Sequence, residues 1–270
     1  MKNYFKRVFC FFIFTTLAQI SCKSVAETTL SQGLVAHYKF ESGWNDLTTN
    51  NRHLTPYAAT IKTEGRDGWD PELGTNQLSA TVDFSSTRGS MATHVNTNAP
   101  SQNLSSFTFA TWFKANTLSR PYSEVSHGEW SYLLHGAFSI RLSVETNWNR
   151  NFVVISENHV NGTSQLSLME NRWYHLTATH SENTTRLYLD GALLSAVGGE
   201  FQGPAILNPN SYDLGNFVGL YNLDGEMDDV RIYDRALSSA EITSLVPEPT
   251  AFHMLPFALG LMVFGRRART

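Results

Sequence analysis

The chain has 270 residues with 20 basic and 24 acidic side chains, a formal net charge of −4, and two cysteines, Cys10 and Cys22. Both cysteines lie in an N-terminal segment that reads as removable, so the body of the protein is neither a disulfide scaffold, nor a thiolate metal site, nor a cysteine enzyme. Between Glu27 and Val246 the balance sharpens to 13 basic against 23 acidic residues, a net charge of −10, which repels nucleic acid and anionic surfaces and favours divalent cations.

Lys2, Lys6 and Arg7 precede an apolar run from Val8 to Phe14, extended by Thr15-Thr16-Leu17-Ala18. A charged start followed by an apolar stretch is the pattern of a secretory signal peptide. Ser24-Val25-Ala26 puts small residues where a signal peptidase reads, so residues 1–26 are assigned to the signal and the mature chain to a start at Glu27. Cleavage before Cys22, as in a lipoprotein, is the alternative; Gln19-Ile20-Ser21 lacks the leucine usual three residues before such a cysteine.

From there on, alternation of period two dominates, the mark of half-buried strands. Leu34, Ala36, Tyr38 and Phe40 fall on one face. The segment Thr60 to Asn76 is polar and glycine-bearing and reads as a long loop. Strands are predicted at Ala80 to Phe84, Phe107 to Phe113, Ser131 to Leu134, Phe138 to Val144, Phe152 to Ser156, Trp173 to His180, Arg186 to Leu189, Leu193 to Val197 and Glu226 to Tyr233. In the second of these Phe107, Phe109, Thr111 and Phe113 share a face, while Ala110 and Trp112 thicken the other. A strand apolar on both faces belongs inside a layered structure. Asp190-Gly191 is a hairpin turn pair, because both central positions tolerate positive φ. His175 and His180, five apart on one strand, point to opposite faces and read as core histidines. Trp112 and Trp173 also read as core.

Helix signals are sparse. Ser238-Ser239-Ala240-Glu241 before Ile242 and Leu245 is a capping-box pattern and predicts one short C-terminal helix. About ten short strands and this helix imply an all-β fold: a two-sheet antiparallel jelly-roll sandwich, built as one domain over residues 27–245.

Residues 246–270 have a different character. Val246-Pro247-Glu248-Pro249 is followed by a mostly apolar run, Ala251 to Phe264, and a basic end, Arg266-Arg267-Ala268-Arg269. The run is shorter than the roughly 20 apolar residues of a permanent spanning helix. This tail resembles the PEP-CTERM sorting signal of Gram-negative bacteria that make exopolysaccharide, with Pro247, Glu248 and Pro249 as the motif and Arg266, Arg267 and Arg269 as the basic end. The resemblance implies transient anchoring in the inner membrane, cutting by an exosortase, and a final location at the cell surface or in the extracellular matrix. A simple C-terminal anchor is the alternative, and it too leaves the body outside the cytoplasm.

Four segments of the body carry a second resemblance. Gly33 to Phe40 with Trp44-Asn45-Asp46, Ser106 to Phe113, Trp173-Tyr174-His175-Leu176 with Leu187 to Gly191, and Gly225 to Ser238 are similar, in that order, to the LamG-like, concanavalin A-like lectin/glucanase domains. What this implies is the jelly-roll fold, which hosts lectins, glucanases and adhesion modules alike. The chain is read as a non-enzymatic module that binds a polysaccharide or glycoconjugate, with a module that binds a surface protein and a divergent glycosidase as the alternatives. LamG-like domains commonly hold one Ca²⁺. The candidates by resemblance are Glu41 and Asp46 after the first strand and Asp228 on the closing strand. The family's Ser-Gly-Asn-Gly is replaced here by Thr48-Thr49-Asn50-Asn51.

Other chemistry is poorly supported. Laminarinase-type members carry E-x-D-x-x-E on one strand, where alternation aligns carboxylates along a glycan cleft. The nearest match is Glu226-Met227-Asp228 with Arg231 in the last place, so the acid/base is missing. There is no H-E-x-x-H, no G-x-S-x-G and no phosphate-binding glycine loop. Trp44, Trp69, Trp130 and Trp148, in or beside predicted loops, are the candidate platforms for stacking on sugar rings.

Overall fold

The computed structural model describes residues 30–70, 75–85, 90–96, 102–118, 130–145, 150–157, 160–166, 168–194, 200–216 and 222–246. Among them, sixteen strands run in chain order: β1 (Leu34–Tyr38), β2 (Thr55–Tyr57), β3 (Thr60–Asp70), β4 (Thr75–Asp83), β5 (Met91–Val95), β6 (Phe107–Ala115), β7 (Trp130–Gly136), β8 (Ser139–Glu145), β9 (Arg150–Glu157), β10 (Val160–Leu166), β11 (Trp173–Ser181), β12 (Thr184–Leu189), β13 (Ala192–Leu193), β14 (Glu200–Gln202), β15 (Ser211–Leu214) and β16 (Gly225–Tyr233). A short helix, α1 (Ser239–Ser244), follows. The predicted signal peptide and the tail with Pro247, Glu248, Pro249, Arg266, Arg267 and Arg269 lie outside the described residues.

The strands form two antiparallel sheets. One has nine strands in the order β13-β12-β11-β6-β16-β4-β3, with β1 added beside β16 and β14 beside β12; the other has seven, in the order β10-β9-β8-β7-β15-β5-β2. This is the jelly-roll sandwich expected from the alternating pattern. Its core is filled from both sides: Phe107, Phe109, Phe113, Leu176 and Leu187 from the nine-stranded sheet meet Leu133, Leu134, Ile140, Leu142 and Leu214 from the seven-stranded one. Phe107 and Phe138 meet edge to face at 4.8 Å, and His180 stacks on Phe107 at 5.3 Å. One polar link crosses the core. The Tyr212 hydroxyl donates to the Tyr38 hydroxyl, which donates in turn to the Arg52 carbonyl.

β16 is the strand around which the large sheet is arranged. All nine of its residues are buried. One edge pairs with β6, while the other is shared: β4 takes Glu226 and Met227, and β1 takes Val230 to Tyr233. Between the two partners the strand bulges. Asp228 faces Trp112 and Arg231 faces Ala110, so Asp229 and Val230 together oppose Thr111, and Asp229 has φ 47°. Such a two-against-one bulge bends the strand and re-aims its side chains.

The structure departs from the predicted elements at several places. The expected loop of Thr60 to Asn76 is mostly strand, because β3 pairs with β4 from Thr60 to Asp70, with a shift in register between Lys62 and Arg66. Polar side chains hid it, since its pairing is made by backbone. Gly65 sits at that shift, where a Cβ would lie 1.8 Å from the Thr81 hydroxyl, so no larger residue fits without moving the hairpin. β2, β5, β10, β14 and β15 were also not foreseen; they are short or carry too few apolar residues to show a period. Leu193 falls in β13 and Leu194 follows it, while residues 195–197 of the predicted strand lie outside the described residues.

The turn and the helix follow the sequence closely. Asp190 and Gly191 both have positive φ, 49° and 78°. The Ser238 side chain accepts from the Glu241 amide, and the Glu241 carboxylate accepts from the Ser238 amide, completing the capping box. Ile242 and Leu245 of this segment pack with Leu30, Ala110, Tyr188, Tyr233 and Leu237 in a second apolar cluster. Helix α1 therefore covers one end of the outer face of the nine-stranded sheet. Partial burial disfavours the Glu241 charge, but hydrogen bonds from Arg235 and Ser238 hold its carboxyl down at about 2. Because the folded value lies below the unfolded one, this stabilisation is complete above the ordinary glutamate range and is lost as pH falls towards 2. Ser238→Ala is expected to cost about 1 kcal/mol in urea unfolding at neutral pH. Glu241→Gln is expected to lessen the loss of stability on acidification.

Candidate functional site

In the first loop the calcium candidate Asp46 is held in a closed set of hydrogen bonds. Asp46 is buried, and its two carboxylate oxygens accept from the backbone amides of His37 (3.0 Å), Thr48 (2.9 Å) and Arg52 (2.9 Å) and from the Thr48 hydroxyl (2.8 Å). Four donors occupy the lone pairs a cation would need. Asp228 faces Arg66 and Ser79 instead, and Glu41 is exposed. Among the described residues no three His, Cys, Asp or Glu side chains gather in a set able to hold a metal. Glu41, Asp46 and Asp228 as placed do not fit an ion that takes six to eight oxygens. Trp44 is a loop anchor: it is half-buried, packs on the main core and meets Phe40 edge-on at 6.0 Å. The Trp69 and Trp130 side chains, and all of Trp148, lie outside the described residues.

The chemistry-bearing residues collect instead on the outer face of the nine-stranded sheet. Trp173 on β11, Lys114 on β6, Glu226 on β16 and Asp83 on β4 stand directly opposite one another, with Thr60 on β3 beyond. Their strand neighbours Tyr174, Phe113, Met227 and Val82 fill the sandwich core, so alternation turns this row away from it. Lys62 reaches back from β3 and donates to Glu226 Oε1 (2.8 Å) and pairs with Asp83 Oδ2 (2.9 Å). Lys114 Nζ lies 2.8 Å from the same Glu226 oxygen and 5.2 Å above the Trp173 ring, and Thr81 donates to Glu226 Oε2 at 2.8 Å. Burial works against the Glu226 charge, yet the hydrogen bonds from Lys114, Lys62 and Thr81 hold its carboxyl below the usual glutamate range. The carboxylates are sunk in the face, while Lys62 is 45 % exposed, Lys114 19 % and Trp173 is half-buried. Trp173 is thus a surface residue and not the core residue its strand position suggested.

A second row runs beside the first and is sealed. His175, Trp112 and Asp228 are opposite one another on β11, β6 and β16. Arg66 closes over them: its guanidinium lies 4.8 Å above the Trp112 ring and its Nε donates to Asp228 Oδ2 at 2.6 Å, while Ser79 donates to the same oxygen at 2.7 Å. Trp112 meets His175 edge-on at 5.1 Å. Burial pushes the Asp228 carboxyl up to about 6 against the pull of Arg66, and pushes the His175 imidazole down to about 3. Beyond the bulge, burial also works against Asp229, but Arg231 (2.9 Å) and His37 (2.7 Å) keep it well below the usual range.

Glu226 and Asp228 share a face, as a pair two apart on a strand must. Glycoside hydrolysis asks such carboxyls to meet the substrate from opposite sides of the bond. Here Glu226 is clamped by two ammonium groups, Asp228 is shut beneath Arg66, and Arg231, in the last place of the motif, is spent on Asp229. Sequence reasoning missed Lys62, Lys114, Asp83 and Trp173 as a group. Only cross-strand register brings them together, and the local pattern showed merely the alternation of β6 and β11.

The fold is a two-sheet jelly roll of concanavalin A-like type, with a charged row ending in Trp173 on one face. Residues 88–243 match the Laminin_G_3 family model, described as the concanavalin A-like lectin/glucanases superfamily, and the chain belongs to it. Among solved structures it is similar to domain 4 of AbnA, a GH43 extracellular arabinanase from Geobacillus stearothermophilus, in complex with arabinotriose (TM-score 0.52, 17 % identity, 79 % of this chain and 98 % of that one). It is also similar to the binding domain of Paraclostridial Mosquitocidal Protein 1 (0.52, 20 %, 80 % and 52 %) and to the botulinum neurotoxin serotype D binding domain (0.50, 12 %, 78 % and 50 %). The likeness at these identities is one of fold, and the chain spans about half of each toxin domain. No curated protein sequence matches it.

Arg66→Ala leaves Asp228 buried without its cation, and is expected to destabilise the fold by about 3–5 kcal/mol in denaturant titration. The raised Asp228 value means that the folded state holds a proton the unfolded chain has already lost. Its contribution to stability therefore declines as pH rises from the ordinary aspartate range through about 6. In Asp228→Asn that decline should vanish from the stability profile, a change that unfolding curves at stepped pH would detect.

Proposed function

We propose that the protein is an exported, non-enzymatic binding module of the cell surface or extracellular matrix that recognises carbohydrate. The observation that carries this reading is membership of the lectin/glucanase superfamily in a chain whose Glu226 and Asp228 are tied into ion pairs. The arabinotriose held by the arabinanase domain supports a glycan as the ligand class for a fold of this shape. Export rests on the sequence: a signal peptide over residues 1–26 taken off by signal peptidase, and a PEP-CTERM tail handled by an exosortase after transient anchoring in the inner membrane. Calcium has no part in this reading.

A second reading, a module that binds a surface protein, has one feature in its favour. Tyr57 and Val95 are 62 % and 59 % exposed on β2, the edge strand of the seven-stranded sheet, and on β5 beside it.

A ligand that binds only the folded state raises the melting temperature. Thermal unfolding of the full chain across a panel of polysaccharides is expected to show a dose-dependent rise with at least one glycan and no release of reducing ends from it. Reducing ends would make the protein a hydrolase. A panel without any shift, alongside capture of a surface protein through Tyr57 and Val95, would favour the second reading.

A further inference from the structure

The row on the outer face of the nine-stranded sheet has properties that a structural ion-pair cluster does not need. The anions are buried, and the cations reach them from the solvent side, Lys62 more openly than Lys114. Glu226 and Asp83 are 3 % and 9 % exposed, whereas Lys62 is 45 % exposed. Each ammonium group has three protons. Lys62 spends two, on Glu226 and Asp83, and Lys114 spends one, on Glu226. That leaves one donor on Lys62 and two on Lys114 whose positions are set from below by carboxylates, with the half-buried Trp173 indole next in the row.

We propose that this row is the saccharide-binding site, and that it takes a neutral, hydroxyl-rich glycan lying across the strands. The inference rests on the carbohydrate reading above and adds its location and ligand class. Five strands at about 4.8 Å spacing give the row a length of about 19 Å, enough for a short oligosaccharide. The fixed ammonium donors meet hydroxyl or ring oxygens, and the exposed part of Trp173 meets the apolar C–H face of a sugar ring. Neutrality follows from charge. Two lysines and two carboxylates cancel within the row, and the chain from Glu27 to Val246 carries −10. A polyanion would be repelled by the body and find no net positive charge at the row. The neighbouring row is closed to ligand by Arg66 over Trp112, so the site is bounded on that side.

The test uses the full-length chain, with calorimetric titration of laminarin, arabinan and galactan as neutral probes and alginate and polygalacturonate as acidic ones. Trp173→Ala is expected to weaken the neutral glycan that binds by about tenfold or more, as loss of an aromatic anchor does. Lys62→Gln, whose amide can still donate to Glu226 and whose fold is checked by its melting temperature, is expected to weaken it by a smaller factor and to leave acidic glycans unbound. Undiminished binding in both variants, or preference for the acidic probes, would overturn the site or its ligand class while leaving a carbohydrate module standing. If the folded wild type takes up none of the five probes, the inference fails together with the reading on which it rests.

Discussion

The fold depends on how β16 is shared. One strand serves three neighbours, and its two edges are both hydrogen-bonded, but one edge changes partner halfway along. A straight strand cannot hand its edge from β4 to β1 without leaving a gap in the ladder. The bulge at Asp229 takes up the mismatch, and adjacent carboxylates mark its two sides. Asp228 draws in Arg66 from the β3–β4 hairpin, and Asp229 draws in His37 from β1. Buried acids are expensive unless paired. Here the pairing forces both neighbours to be present, so the charges act as registration marks for the two halves of the sheet.

This arrangement divides the outer face into three zones. Helix α1 and its apolar cluster cover one end. Arg66, Trp112 and His175 close the middle. At the other end the Trp173–Lys114–Glu226–Asp83 row meets solvent through its lysines. The division follows from strand register and from the reach of one arginine, and does not require a separate loop to build a site.

Much of the scaffold was legible in the sequence because it rests on local rules. The alternation in Phe107 to Phe113 and Glu226 to Tyr233, the two left-handed residues Asp190 and Gly191, and the reciprocal Ser238–Glu241 cap each depend on residues a few positions apart. β3 was not legible because a polar strand has no hydrophobic period to read. The candidate site was less legible still. Trp173, Lys114, Glu226 and Asp83 come from four strands that are far apart in the chain, and register between strands is a property of the fold. Asp46 shows why a loop acid is ambiguous in sequence. An acidic residue in a polar loop reads as a cation ligand, but backbone amides compete for the same oxygens, and in this loop three amides and a hydroxyl take them.

The pairing of β1 with β16 has a consequence for how the protein comes into being. Leu34 sits beside Tyr233, so the large sheet closes only when its first and last strands meet. Joining segments so distant costs loop-closure entropy before any contact repays it, so the sheet cannot close ahead of its last strand. A nascent chain lacking β16 has no partner for β1, for the edge of β4 away from β3 or for the edge of β6 away from β11, and Asp228 and Asp229 are not yet there to anchor Arg66 and His37. The polypeptide thus stays open until nearly all of it has been made.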